Sequence, residues 1–303
     1  MNYFGIYANS GELETALVEE TLNKPYVAIV SGVLDYDSVI PVPPAETRLK
    51  ITYNFETTDE TPVLSNFTDL FNHAPGKAEF PDGTEFIYDP NEQYEDTTIN
   101  YTPAETGIAS VYFTFSGDTI GNGESGSGLL EMTPAIAIEI PYKVNTIGMV
   151  AFYGAAYSAV TFPNHSLTIG NSSFCGLGEG DALVSVSIPS GSVLCGDTFF
   201  MQVALEDVTI GQGVTFGLDG NGDFAECYSL TSITFLDTTP PAVNDTTFSW
   251  MRLDDERGEE VSVDIHVPVG SENAYADSFN QDCTSVAFRY LSPGMIEAYS
   301  VEE

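Results

Sequence analysis

Five phenylalanines, Phe152, Phe174, Phe199, Phe224 and Phe248, follow one another at intervals of 22, 25, 25 and 24 residues. A fixed period of this length marks a solenoid, because one such unit cannot bury its apolar face alone and must stack on its neighbours. A second signal recurs between the anchors, a short β-branched or aromatic strand: Val160–Pro163, Val186–Pro189, Val208–Ile210 and Ile233–Phe235. In each triplet the first and third residues share one face. They are expected to line the core, with Thr or Ser between them facing out. A third signal precedes the Phe: Ile147-Gly148, Ile169-Gly170 and, degraded, Cys195-Gly196. Here the glycine is expected to supply a tight turn, and the Phe to plug the far side of the coil.

The repeated phrase Ile140-Pro141-x-x-Val144-x-x-Ile147-Gly148-x-x-Ala151-Phe152 resembles the BspA-like leucine-rich repeat. So does Phe224-Ala-Glu-Cys227-x-x-Leu230-x-x-Ile233-Thr-Phe235, and so does the closing segment. That segment runs Thr239-Pro240-Pro241, Phe248, then Val267-Pro268-x-x-Ser271-x-x-Ala274-Tyr275. Two units depart: Gly154–Ala156 lacks the family cysteine, and Gly217–Asp223 reads as an insertion. The resemblance covers about half the chain, residues 140 to about 280. It implies a leucine-rich-repeat solenoid that works by adhesion to proteins or glycans.

Composition narrows the partners. Eight Lys+Arg stand against 45 Asp+Glu, a formal charge of −37, and Lys143 is the sole basic residue between Ala78 and Met251. Such a surface repels phosphate polymers and anionic membranes, so neither nucleic acid nor membrane insertion is expected. No stretch reaches the roughly 18 apolar residues of a membrane span. The opening Met1–Tyr7 lacks the features of a signal peptide, which predicts either that the protein is not exported by that route or that its leader is removed.

In chain order, residues 1–42 read as a small α/β attachment module. Asn9 with Glu12 makes a capping box for a helix ending at Lys24-Pro25. Strands follow at Tyr26–Val30 and Val33–Tyr36, and Pro41–Pro44 is a stiff linker. Leu22–Val30 with Leu34–Tyr36 is similar to leading segments in virion proteins of crAss-like tailed phages. Residues 46–139 are β-rich, with alternation at Leu49/Ile51/Tyr53/Phe55, Val111/Phe113/Phe115 and Ile136/Ile138/Ile140. This region is expected to cap the first coil or to form a separate sandwich. Residues 140–285 hold the repeats with a C-terminal cap. In that cap Arg252–Glu260 is a charged loop, Val261–Val267 a last strand and Ser271–Phe279 a helix. Val286–Tyr290 is a further candidate strand, and 286–303 form an acidic tail.

No catalytic, cofactor-binding or metal-ligating set is identified, and no cofactor is expected. His73, His165 and His266 have no Ser, Cys or carboxylate partner at motif spacing. Cys175, Cys195, Cys227 and Cys283 show no C-x-x-C, and Cys227 at the repeat's own cysteine position reads as a buried thiol. Asp219, Asn221 and Asp223 space three oxygen side chains as the first half of a calcium loop does. The remaining EF-hand positions fail, leaving a polar insertion as the alternative. Five N-x-[ST] sequons read as composition in a Thr/Ser-rich chain.

Together these features predict a non-enzymatic adhesion protein. The expected setting is a phage virion, as a head-fibre, capsid-decoration or tail-associated component. The module at 1–42 would hold other virion proteins or further copies of the chain, and the array would face a host-surface glycan or protein. A bacterial surface adhesin is the rival, and an intracellular scaffold a third reading.

Overall fold

The computed structural model describes residues 4–7, 27–30, 46–71, 74–94, 97–121, 128–130, 133–176, 182–217, 222–249, 263–282 and 296–299. Within the leading module, β1 (Phe4–Tyr7) and β2 (Val27–Val30) pair in parallel. β2 matches the expected strand, whereas β1 falls where the residue pattern carries no strand signal. The expected helix after Asn9 and the strand at Val33–Tyr36 lie outside the described residues, as do Arg252–Glu260 and Val286–Tyr290.

The middle region is built on two long antiparallel strands, β3 (Glu46–Phe55) and β8 (Gly107–Ser116), paired over ten residues. Their alternation sorts the side chains as expected. Leu49, Ile51, Tyr53, Phe55, Val111, Phe113 and Phe115 are buried, while Lys50, Thr52 and Tyr112 face outward. Between them in the chain come β4 (Thr61–Leu64), α1 (Phe67–Phe71), β5 (Gly76–Glu79), β6 (Glu85–Tyr88) and β7 (Ile99–Tyr101). β5 and β6 extend the sheet. The turn between them is the expected Pro81-Asp82-Gly83: Gly83 N–H donates to Phe80 O at 3.0 Å, and Gly83 takes φ +82°. The β4–β7 pair and α1 cover the inner face with rings, among them Phe67 against Tyr88 and Phe80 stacked on Tyr101 at 4.8 Å. The buried Tyr53 hydroxyl donates to Val63 O, tying this layer to the sheet.

β9 (Thr119–Ile120) and β10 (Ala135–Glu139) lead into the repeats. β10 pairs antiparallel with β3, with a register shift between Ala135 and Ala137. That bulge turns the expected pattern: Ala135, Ile138 and Ile140 are buried, and Ile136 is only half-buried. On its other edge β10 takes β12 (Ala159–Thr161) in parallel, so one six-stranded sheet runs β12-β10-β3-β8-β5-β6.

The repeats themselves form two parallel ladders. One contains β9, β11 (Thr146–Ile147), β13 (Thr168–Ile169) and β15 (Val193–Leu194). The other contains β14 (Ser185–Ile188), β16 (Asp207–Ile210), β17 (Ser232–Phe235), β18 (Asp264–Pro268) and β19 (Ile296–Tyr299). The triplet reading holds along this second ladder. Val186/Ile188, Val208/Ile210 and Ile233/Phe235 are buried, with Ser187, Thr209 and Thr234 outward between them. The helix α2 (Glu272–Asp282) follows Ser271 and buries Tyr275, Ala276 and Phe279 over the last coil.

The five anchors stack as one column through the coil centres. Ring centroids lie 5.2, 5.2, 5.3 and 5.8 Å apart from Phe152 to Phe248, and the last three pairs are within 8° of parallel. Backbone hydrogen bonds fix the column: Phe152, Phe174, Phe199 and Phe224 each donate N–H to the carbonyl of the residue just before the next anchor. Leu129 donates to Ala151 O in the same way, so it holds the Phe position in a preceding coil. The array therefore begins at Thr119-Ile120-Gly121, a phrase that repeats at Thr146-Ile147-Gly148 and Thr168-Ile169-Gly170.

One expectation about these glycines is corrected. The left-handed backbone falls two residues before the first four anchors, at Val150, Ser172, Asp197 and Gly222, and not at Gly148 or Gly170. Of the three expected glycines only Gly196 takes it, at φ +96°, and the ladder pairs Ile169 with Leu194, so Cys195 holds the place of Gly170. Gly170 is there for close approach: a Cβ on it would sit 2.6 Å from the carbonyl carbon of Gly148 and from Met149 N, backbone atoms of the adjacent coil. Gly170→Ala must push two laddered coils apart, and the expected loss is about 1–3 kcal/mol, the range for overpacking. Thermal unfolding checks this; an unchanged melting temperature would mean the coils have slack at that point.

Candidate ligand-binding face

The five-stranded parallel ladder presents an outer face set by its register. One row runs Ser185, Asp207, Ser232, Asp264, and a second runs Ser187, Thr209, Thr234, His266, Glu297. Neighbours in each row stand one strand spacing apart, about 4.8 Å, and the rows are two residues apart along the strands, about 6.6 Å. The first four strands supply one residue to each row and β19 one to the second, because alternate side chains turn into the core. His266 Nδ1 lies 3.2 Å from Glu297 Oε2, joining the last two members of the second row. β12 lies beside β14, with Ala159 and Thr161 exposed. The result is a flat grid of hydroxyls broken by carboxylates. It can donate and accept hydrogen bonds with polyols or peptide groups, and its acids attract cations.

Side chains behind the face hold the coils in register. Asp223 is fully buried, and its Oδ1 accepts from Thr198 Oγ1 at 2.7 Å, Gly196 N at 3.2 Å and Thr198 N at 3.3 Å. Its Oδ2 accepts from Gly217 N at 3.0 Å. Burial pushes this carboxyl above the ordinary range, against the pull of the four donors. With both oxygens engaged by protein donors, Asp223 ties its coil to the one before. Asp219 and Asn221, the other members of the expected calcium pattern, lie outside the described residues. In the following coil Asn244 fixes the local turn before the anchor, its Oδ1 accepting from the N–H and hydroxyl groups of both Thr246 and Thr247.

The family cysteine position has a legible task. Cys227 is buried, and its thiol donates to Phe199 O at 3.3 Å, across to the previous coil's anchor. Gln202 occupies the same place after Phe199, and its Nε2 donates to Phe174 O at 2.6 Å. Ala155 has no donor to offer there, and Leu129 O is reached instead by Ser65 N–H at 2.7 Å. The missing cysteine at Gly154–Ala156 is thus made good by the middle region. Cys175 and Cys227 are buried thiols, and Cys195 is exposed. Partial burial still pushes the Cys195 thiol up, which lowers its thiolate fraction and its reactivity.

The histidines are far apart in role. His165 sets Nε2 2.6 Å from Tyr142 O and Nδ1 2.9 Å from Ser166 O, with its ring edge-on to Tyr142. His266 stands in the outer row, and His73 lies outside the described residues. A small cleft of about 170 Å³ opens where the Thr239-Pro240-Pro241 turn leaves the ladder, under Tyr275. Tyr275 Oη donates to Asp237 O at 2.9 Å, and burial pushes its hydroxyl pKa far up. Asp237 is itself held by Gly213 N–H and Thr239 N–H at 2.8 and 2.9 Å, so the turn is a built joint between array and cap. Among the described residues no group of three metal-ligating side chains converges, and no helix is long and apolar enough to cross a membrane.

Residues 145–255 match the BspA type leucine rich repeat region in six copies. This stretch of the chain is a BspA-type leucine-rich-repeat array, in a protein that is mainly β and carries it as a solenoid. Such repeats make a binding or adhesion domain and generally serve as a non-catalytic scaffold. No curated protein matches the chain.

Proposed function

We propose that the chain is an adhesive virion component whose repeat array holds a neutral or cationic polymer on a host surface. The observation that carries the binding reading is the grid on the five-stranded ladder, from Ser185 and Ser187 to Asp264 and Glu297. Hydroxyls at regular spacing suit sugars and peptide backbones, whose polar groups also recur. Between Pro141 and Trp250 the array carries ten acidic residues against Lys143 alone, which disfavours sulfated or phosphate polymers. The virion reading is supported by the resemblance of Leu22–Val30 and Leu34–Tyr36 to leading segments of tailed-phage virion proteins.

A binding panel tests the ligand class: DNA, a sulfated polysaccharide, a neutral polysaccharide and a basic protein, each at two salt concentrations. Binding to the neutral polymer should change little with salt, and binding to the basic protein should weaken, since screening shortens to about 3 Å at 1 M salt. Thr209→Arg with Thr234→Arg should abolish neutral-polymer binding without lowering the melting temperature. Tight capture of DNA or the sulfated polymer sinks the reading. Fractionating a producing culture tests the virion setting. Banding with purified particles supports the virion assignment, and exposure to protease on intact cells supports a cell-surface adhesin instead.

A further inference from the structure

The outward face of the six-stranded sheet differs in charge from the other described residues. Four described residues are Lys or Arg, and three of them, Arg48, Lys50 and Lys77, lie on this one face. Three glutamates interleave with them. Lys50 Nζ lies 2.5 Å from Glu139, Lys77 Nζ 3.1 Å from Glu85 and 3.6 Å from Glu79, and Arg48 3.4 Å from Glu79. The Arg48 guanidinium also lies over the Tyr112 ring, 4.1 Å from its centroid. The face is therefore a mixed ionic lattice in a chain of formal charge −37. At its margins Ile87 and Ile108 are 68% and 71% exposed, the two most exposed large hydrophobics of the described chain.

We propose that this face is a self-association surface, where two copies of the chain meet sheet to sheet. The partner follows from charge. Two copies approaching through any acid-dominated surface repel one another, whereas here three cations stand among the acids and each copy can set its own against the other's. Both signs on one patch suit a two-fold contact, in which the same surface must complement itself. The charges are already paired within the sheet, so contact buries no isolated ion, the costly case. Tyr112, Ile87 and Ile108 supply the aromatic and apolar anchors that such contacts use. The six strands offer roughly 600 Å² of sheet at ordinary strand spacing and rise. That is the low end of the roughly 600–1,000 Å² per partner of a specific interface, which predicts a weak dimer.

Sedimentation velocity on the full chain tests the proposal, from about 1 to about 100 μM, the range a weak dimer of this size occupies. The expected result is a concentration-dependent dimer. Ile108→Glu should weaken it at least about tenfold, or about 1.4 kcal/mol. Ser187→Glu adds the same charge on the repeat ladder and should leave the dimer intact. Lys77→Glu should act as Ile108→Glu does, with its fold checked by circular dichroism. A monomer at every concentration overturns the proposal. So does a dimer that Ile108→Glu and Ser187→Glu affect equally, since that places the contact elsewhere.

Discussion

Phe174→Ala should destabilise the protein by about 3–5 kcal/mol, the range for deleting a buried aromatic ring. The ring has no exposed surface and stacks between Phe152 and Phe199 at 5.2 Å on either side. Phe162 and Tyr157 meet it edge-on at 5.5 and 6.1 Å. Burial and ring contacts are both lost, each contact being worth about 0.5–1.5 kcal/mol beyond its area. The cavity also cannot close easily. Phe152 donates N–H to Ser173 O and Phe174 to Thr198 O, so each neighbouring ring is held at a height fixed by its own backbone bond. Urea unfolding of wild type and variant measures the difference. A loss below about 1 kcal/mol would show that the column relaxes and is not a rigid stack.

Asp223→Ala should cost about 2–4 kcal/mol, from several buried donors left without an acceptor at about 1–3 kcal/mol each. The abandoned groups are the Thr198 hydroxyl and the N–H groups of Gly196, Thr198 and Gly217. Asp223→Asn should cost less, because its carbonyl can still serve Thr198 and Gly196 while its amide faces the Gly217 N–H. The pH dependence has a definite sign. Burial, the largest cause, holds the folded carboxyl above its unfolded value. Its contribution is then complete below the unfolded pKa and is lost as pH rises through the folded one. Wild type should therefore lose stability relative to Asp223→Asn as pH rises above the ordinary carboxyl range, about pH 4. Taking the difference removes the self-repulsion of the other acids, which both proteins share. A gap that widens in favour of wild type as pH rises would contradict the burial argument.

The repeat core is legible in the sequence because its signals are local and recur. A buried ring every turn and a β-branched or aromatic pair on β14, β16 and β17 leave their spacing in the chain. The other ladder is harder to see. Its strands are two residues long, too short for any alternation, and only the repeated Thr-Ile-Gly phrase betrays them. At Thr119-Ile120-Gly121 even that clue is masked, because the next anchor is Leu129 and a Gly/Ser stretch intervenes. Asp223 fits a spacing pattern for an ion, but its role depends on Gly196, Thr198 and Gly217, which reach it only after the coils stack. The outer rows of the candidate face have the same character. Ser187, Thr209, Thr234 and His266 are ordinary polar residues until parallel register lines them up.

The way the array starts has a consequence for its size. Its first coil is not seeded on a bare end: β9 offers its edge to β11, and β10 offers one to β12, which lies beside the first strand of the long ladder, β14. Every later coil shows its successor much the same pair of edges and the same ring. A duplicated or deleted repeat would therefore leave both terminal joints unaltered, at β10 and β9 on one side and under Tyr275 on the other. Reach becomes an adjustable dimension, counted in steps of about 4.8 Å. A lineage of such chains can tune the length of the grid by whole-unit gain or loss, without inventing a new fold at either boundary.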